Sequence, residues 1–278
     1  MTRRGALVAV LSWLVWAPLV ALAADGLGAA EARYAAGDFA GAESHFRQHL
    51  RGEPGSEVAR FRAGQTAMAL HGYGRAGDDF ERVAAQGGAL SERASFMAGL
   101  ASYRLRDYVT AAGQWGDVVR SAERDDIAQA AQYGRAWCAI HRYQWPSSRE
   151  ELKRVTLLFP GLDDDPRAPP LLAELRRADA LPMRSPTAAK WMSTIAPGVG
   201  QVYAGRVANG IVSAGLNGAF LYFLGRAVTD GRWVDALFIY VGGSRFYWGG
   251  RQNAEKFARA RNDAMQRGFV ADLARYDF

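Results

Sequence analysis

Cysteine is nearly absent from this chain. The single thiol, Cys138, excludes an intramolecular disulfide, and no cysteine lies near the N-terminus where a lipid-attachment motif would need one. Only four histidines occur. Two of them, His45 and His49, stand at i and i+4, but no third ligand follows at recognisable spacing, so a metal centre is not expected. The Gly198-x-Gly200 run has no lysine–serine pair after it and no strand before it, which argues against a phosphate loop. The triplet Asp163-Asp164-Asp165 lacks further oxygen ligands at loop spacing and reads as solvated linker. Cys138 and His141 lie three apart on one helix without an orienting acid, so a packed cysteine is the expected role. Asp78-Asp79 and Glu150-Glu151 read as solvated helix faces. No catalytic residue, metal or cofactor is assigned, and an enzyme is not expected.

Charge is unevenly placed. Residues 24–160 hold 17 basic and 17 acidic side chains, net zero, whereas residues 184–278 hold 12 and 6, net +6. The excess accompanies the hydrophobic C-terminal part, as expected for contact with anionic lipid head groups. No aromatic platform or binding motif is interleaved with it, so nucleic acid is not expected.

What the sequence does contain is a ruler. Phe39, Tyr73, Tyr108 and Tyr143 are spaced by 34, 35 and 35 residues. Alanines follow the first three (Ala42, Ala76, Ala111), then large aromatics (Phe46, Phe80, Trp115). Glycines precede the last three (Gly64, Gly99, Gly134). A fixed period in this range marks stacked helix pairs, which must pack on one another because no pair buries its apolar face alone. The small residues let two helices approach, and the aromatics fill the gap to the next pair.

This register resembles the tetratricopeptide family, over residues 24–160. The first repeat carries Gly37, Phe39, Ala42, Phe46 and Pro54. The second and third follow the same pattern, and the fourth departs after Gly134 and Tyr143. Two extra residues in its turn bring Leu152 and Pro160 into register, with Ser147 and Glu150 as a capping box. The resemblance implies an all-α, TPR-like helical-repeat solenoid with a groove lined by the first helix of each repeat. Carried over residue by residue, the groove positions are Tyr34, Gln65, Met68, Tyr103, Arg104 and Arg135, and Cys138 falls on the same inner side. Such a lining suits an extended protein or peptide partner with some negative charge. The competing reading is that the tyrosines and Met68 simply pack between helices.

Residues 1–23 read as a secretory signal: Arg3 and Arg4, an apolar run from Ala6 to Trp16, Pro18, and Ala21-Leu22-Ala23 as cleavage site. Residues 161–184 are a linker. A membrane module is expected over 185–250 and a basic helix or tail over 251–278. Within the module, Val207–Gly225 is 19 uncharged residues long, close to the ~20 that span a bilayer. Gly210, Ala214 and Gly218 recur every four positions beside Asn217, a stripe suited to close helix packing in lipid. The run from Trp233 to Trp248 is interrupted by Asp235 and Arg245, and Gly249-Gly250 is expected to break it. Pro197-Gly198-x-Gly200-Gln201-x-Tyr203-x-Gly205-Arg206, Tyr247-x-Gly249-Gly250, Asn253 and Ala254 resemble a membrane module found downstream of helical repeats in bacterial envelope proteins. The expected location is the cell envelope, with periplasmic repeats and the C-terminal part in contact with the lipids of the inner membrane. A secreted N-terminus with two spans returns the basic tail to the periplasm, whereas the positive-inside tendency places it in the cytoplasm. Two functions fit: a non-enzymatic scaffold or adaptor holding a partner in the groove, or a subunit of a membrane transport or protein-insertion complex working through the module.

Overall fold

The computed structural model describes residues 27–158 and 167–278. The expected export signal, Pro160 and the aspartate triplet lie outside the described residues. Those described are all-helical: thirteen α-helices, with no strand among them, packed mainly on their sequence neighbours. The chain divides into two compact units, the first comprising residues up to 176 together with 275–278, the second residues 177–274.

Unit 1 contains four helix pairs: α1 (Leu27–Ala35) with α2 (Phe39–Gly52), α3 (Glu57–Ala69) with α4 (Tyr73–Ala84), α5 (Ser91–Arg104) with α6 (Tyr108–Ser121), and α7 (Asp125–His141) with α8 (Trp145–Leu158). The helices within each pair are joined by turns of three residues. The turns share one geometry. Gly37, His71, Arg106 and Tyr143 all have positive φ (80°, 57°, 64° and 59°). In each turn the next amide bonds back five residues, as in Asp38 N to Arg33 O and Gln144 N to Ala139 O. This closing bond satisfies a helix-end carbonyl and lets a side chain hold the left-handed conformation usually left to glycine. Asp38 and Asp107 then cap the following helices, their carboxylates accepting from Gly41 N and Thr110 N.

The core follows the ruler. Phe46, Phe80, Trp115 and Leu152 are fully buried, as are Ala42, Ala76, Ala111 and Ser148 four residues before each. Gly64 admits the Phe80 ring, and Gly99 and Gly134 admit the indole of Trp115 from two helices. Trp115 Nε1 donates to Phe96 O at 3.1 Å. Arg47 grips the buried Asp79 carboxylate with both terminal nitrogens, at 2.9 and 2.6 Å, tying α2 to α4.

The fourth pair corrects the expected register. The residue that opens its second helix, as Tyr108 opens α6, is Trp145 and not Tyr143, a step of 37 residues instead of 35. The two extra residues do not widen the turn. They lie between Gly134 and Tyr143 and lengthen α7, by about 3 Å at the ~1.5 Å helical rise. Leu152 does come into register with Trp115. Ser147 falls inside α8 instead of starting it, so the expected capping box does not open the helix. Helix α9 (Ala168–Leu175) then packs on α8, with Leu171 and Leu175 buried, and continues into a 3-10 turn over Arg176–Ala180.

Unit 2 contains α10 (Pro186–Ile195), the short α11 (Val199–Tyr203), α12 (Val207–Thr229) and α13 (Trp233–Leu273). The Gly249-Gly250 pair does not interrupt α13, which runs unbroken for 41 residues. Two glycines cost a helix about 2 kcal/mol, yet Gly250 is held from outside: Gln201 Nε2 donates to its carbonyl at 2.9 Å. A Cβ there would also meet Ser213 Oγ at 3.0 Å.

Candidate partner-binding groove

Two regions carry the residues singled out by the sequence, one in each unit. In unit 1, α5 and α7, the first helices of the third and fourth pairs, bring Tyr103, Tyr133, Trp137 and His141 together. Tyr133, Trp137 and His141 recur every four residues and so share one face of α7. The imidazole of His141 stacks on Tyr108 at 4.5 Å, and its Nε2 lies 2.8 Å from the Tyr103 hydroxyl. Trp115 closes the floor, 5.7 Å from Tyr103.

Against this aromatic box lie residues 276–278, which belong to the same unit. Tyr103 donates to Asp277 Oδ1 at 2.8 Å and Tyr133 donates to the carbonyl of Tyr276 at 2.5 Å. The Phe278 ring sits 5.6–6.0 Å from the rings of Tyr103, Trp115 and Tyr133. The Asp277 carboxylate also accepts from Phe278 N, and Arg275 pairs with Glu174 at 3.0 Å. Burial sets the electrostatics of the box. It pushes the Tyr103 hydroxyl far above its ordinary range, with Asp277 adding to the shift, so Tyr103 acts as a neutral donor. It lowers the His141 pKa against the opposing pull of Asp277. It raises Cys138 to about 12, leaving a thiol and not the thiolate that nucleophilic chemistry needs.

Of the six expected groove residues, Tyr103 contacts the 276–278 segment. Tyr34 packs with the Ala30–Phe46 cluster beneath Arg62, and Gln65 is buried, accepting from Arg62. Met68 packs against the Phe61–Phe80 cluster. Arg135 pairs with Glu151 at 2.8 Å, and Arg104 is half-exposed on α5. The sequence places Trp115 in the core and His141 beside Cys138, and leaves both, with Tyr133 and the segment itself, outside the expected groove. The four-residue recurrence on α7 was the available signal for two of these. A second depression, about 670 Å³, gathers Arg47, Arg51, Arg60, Arg75 and Arg82. Asp79 and Glu43 neutralise three of these arginines, so it reads mainly as framework.

In unit 2 the Pro-Gly-x-Gly-Gln segment is a packing hub. Gly198 has φ +98° and sits against the Gly210 carbonyl, where no side chain fits. Gly200 lies on the Ala189 carbonyl, and its amide donates to Ser193 Oγ at 3.0 Å. Buried Gln201 accepts from Ser193 at 2.7 Å, and the Tyr203 hydroxyl accepts from Ser185 N at 3.2 Å. Gly205, at φ +85°, makes the turn into α12. Gly210 is buried against Val202, and Ala214 lies beside Gly198. Asn217 is buried and donates to Ser213 O at 2.8 Å. Gly218 has open space where a Cβ would sit, and α12 meets α13 through Phe220 on Gly243.

The outer faces of unit 2 are apolar. Ile211, Tyr222, Trp233 and Phe238 are 61–73% exposed. Among the described residues α12 is long and apolar enough to cross a bilayer. No protein-family model matches the sequence, and no curated protein matches it significantly.

Proposed function

We propose that this chain is a non-enzymatic scaffold of the bacterial envelope. Its TPR-like repeat solenoid holds a protein or peptide partner in the groove while the second unit, including residues 185–250, keeps it at the inner membrane. The observation that carries this reading is the aromatic box of α5 and α7. It engages a short segment through a side-chain hydrogen bond, a backbone-directed hydrogen bond and three ring contacts, the grammar of peptide recognition. The apolar faces of α12 and α13 far exceed scattered surface hydrophobics and support lipid contact. Membrane retention should resist alkaline extraction and disappear when residues 185–273 are deleted, and an exported reporter fused after Leu158 should be active. Release of the intact chain by alkaline washing would contradict the membrane role.

A second reading rests on a different observation. A cavity of about 220 Å³ lies between α12 and α13, where Asn209, Asn217, Arg245 and Asn253 share the lining with apolar side chains such as Leu216 and Phe246. Polar groups grouped on otherwise apolar helices mark working surfaces of membrane assemblies. On this reading the chain is a subunit of a transport or protein-insertion complex and the repeats are its docking arm. Arg245→Leu would then abolish complex formation, whereas the scaffold reading leaves partner capture intact.

A further inference from the structure

The segment in the aromatic box is the chain's own. It is held by specific chemistry: a hydroxyl on the Asp277 carboxylate, a hydroxyl on the Tyr276 carbonyl, and three aromatic rings around Phe278. These contacts define what the box selects. An aspartate accepts from the buried Tyr103 hydroxyl at 2.8 Å, and His141 Nε2 at 2.8 Å is then the neighbour that donates to that hydroxyl, so a carboxylate is matched by a two-donor relay. An aromatic residue directly after it meets Trp115 and Tyr133 edge-on or tilted. Residues 276–278 remain only half-buried and are held by few bonds, so they are exchangeable.

We propose that the box formed by Tyr103, Trp115, Tyr133 and His141 recognises an aspartate followed by an aromatic residue. Residues 276–278 are its resident occupant, and an external partner enters by presenting the same pair and displacing them. This rests on reading the groove as the partner site and adds both its specificity and its gate. A tethered segment competes at high effective concentration, so the apparent affinity of an outside ligand falls by the fraction of open sites. Nine-tenths occupancy in cis weakens it on the order of ten-fold.

The test uses the full chain in detergent and a fluorescein-labelled peptide, Ala-Arg-Tyr-Asp-Phe with both ends blocked. Anisotropy should show binding to an Asp277→Ala, Phe278→Ala double variant about ten-fold tighter than to the wild-type chain. Replacing either Asp or Phe in the peptide with Ala should abolish that binding. Tyr103→Phe, which keeps the ring and its packing, should weaken the Asp peptide several-fold while the chain keeps its wild-type helical circular-dichroism spectrum at the assay temperature. Equal binding to wild type and double variant overturns the gate, and binding indifferent to Asp and Phe overturns the specificity. Peptide indifference, with a native partner whose capture still depends on Tyr103, overturns this inference and leaves the groove reading standing. Peptide binding that tracks Asp and Phe, with no partner dependent on Tyr103, does the reverse.

Discussion

Replacing Gly99 with alanine adds one methyl group at the tightest point of the third helix pair. The new Cβ would lie 2.5 Å from Trp115 Nε1 and 2.6 Å from its Cδ1. The indole has nowhere to retreat, because Gly134 of the next pair presses its other edge and its N–H is committed to Phe96 O. Overpacking of this kind costs about 1–3 kcal/mol. Displacing the indole forfeits a hydrogen bond with a net contribution of about 1 kcal/mol, and alanine's helix propensity returns about 1 kcal/mol. The balance is a loss of about 1–3 kcal/mol, which for a unit of this size lowers Tm by about 2–12 °C. Gly113 supplies the control, since it lies inside α6, is exposed, and has open space around its Cα. Gly113→Ala should raise stability by up to about 1 kcal/mol. Thermal unfolding followed by circular dichroism on the full chain reads both. If the two variants shift Tm in the same direction, the indole is not held between Gly99 and Gly134.

Three further outcomes are expected. Asp79→Asn should cost about 3 kcal/mol in urea denaturation, since losing one partner of a buried ion pair leaves the Arg47 charge poorly matched; an unchanged midpoint would contradict this. His141 has a folded-state pKa below its ordinary 6.5, so between those values the unfolded chain binds the extra proton. Stability should therefore fall as pH drops below 6.5, and more steeply in wild type than in His141→Gln; parallel profiles from pH 7.5 to 5 would refute the assignment. In unit 2, half-buried Phe220→Ala should lose about half of the ~3–5 kcal/mol of a fully buried phenylalanine, whereas Gly218→Leu should fold normally; the reverse order would mean that α12 packs through Gly218.

The helix pairs were legible because their physics is local and periodic. Gly64, Phe80, Gly99 and Trp115 are set by the need of two helices to touch, and that need repeats at a fixed spacing. The fourth pair misled the ruler because its two extra residues lengthen α7, where a Tyr143 in the expected place concealed Trp145 in the structural one. The turn residues His71 and Arg106 carry no sequence mark of their left-handed conformation, since a backbone hydrogen bond stabilises it. Gly249-Gly250 was misread as a break because propensity describes an isolated helix, whereas Gln201 and Ser213 bring tertiary contacts to Gly250. Of the groove residues carried over from the resemblance, Tyr103 lies in the box. The rest of the box depends on residues 276–278, which lie more than a hundred positions from Tyr133 in the sequence, and no periodicity encodes such a contact.

The central claim is that the chain recruits a partner through the box on α5 and α7. The most direct measurement is quantitative co-purification from detergent-solubilised membranes of wild type, Tyr103→Ala, Tyr133→Ala and a surface control, Val109→Ala on α6. A protein that co-purifies stoichiometrically with wild type and the control, and drops at least ten-fold with either tyrosine variant while membrane retention is unchanged, is the predicted result. Identical associated proteins across all four chains would contradict it and place the working surface in the second unit.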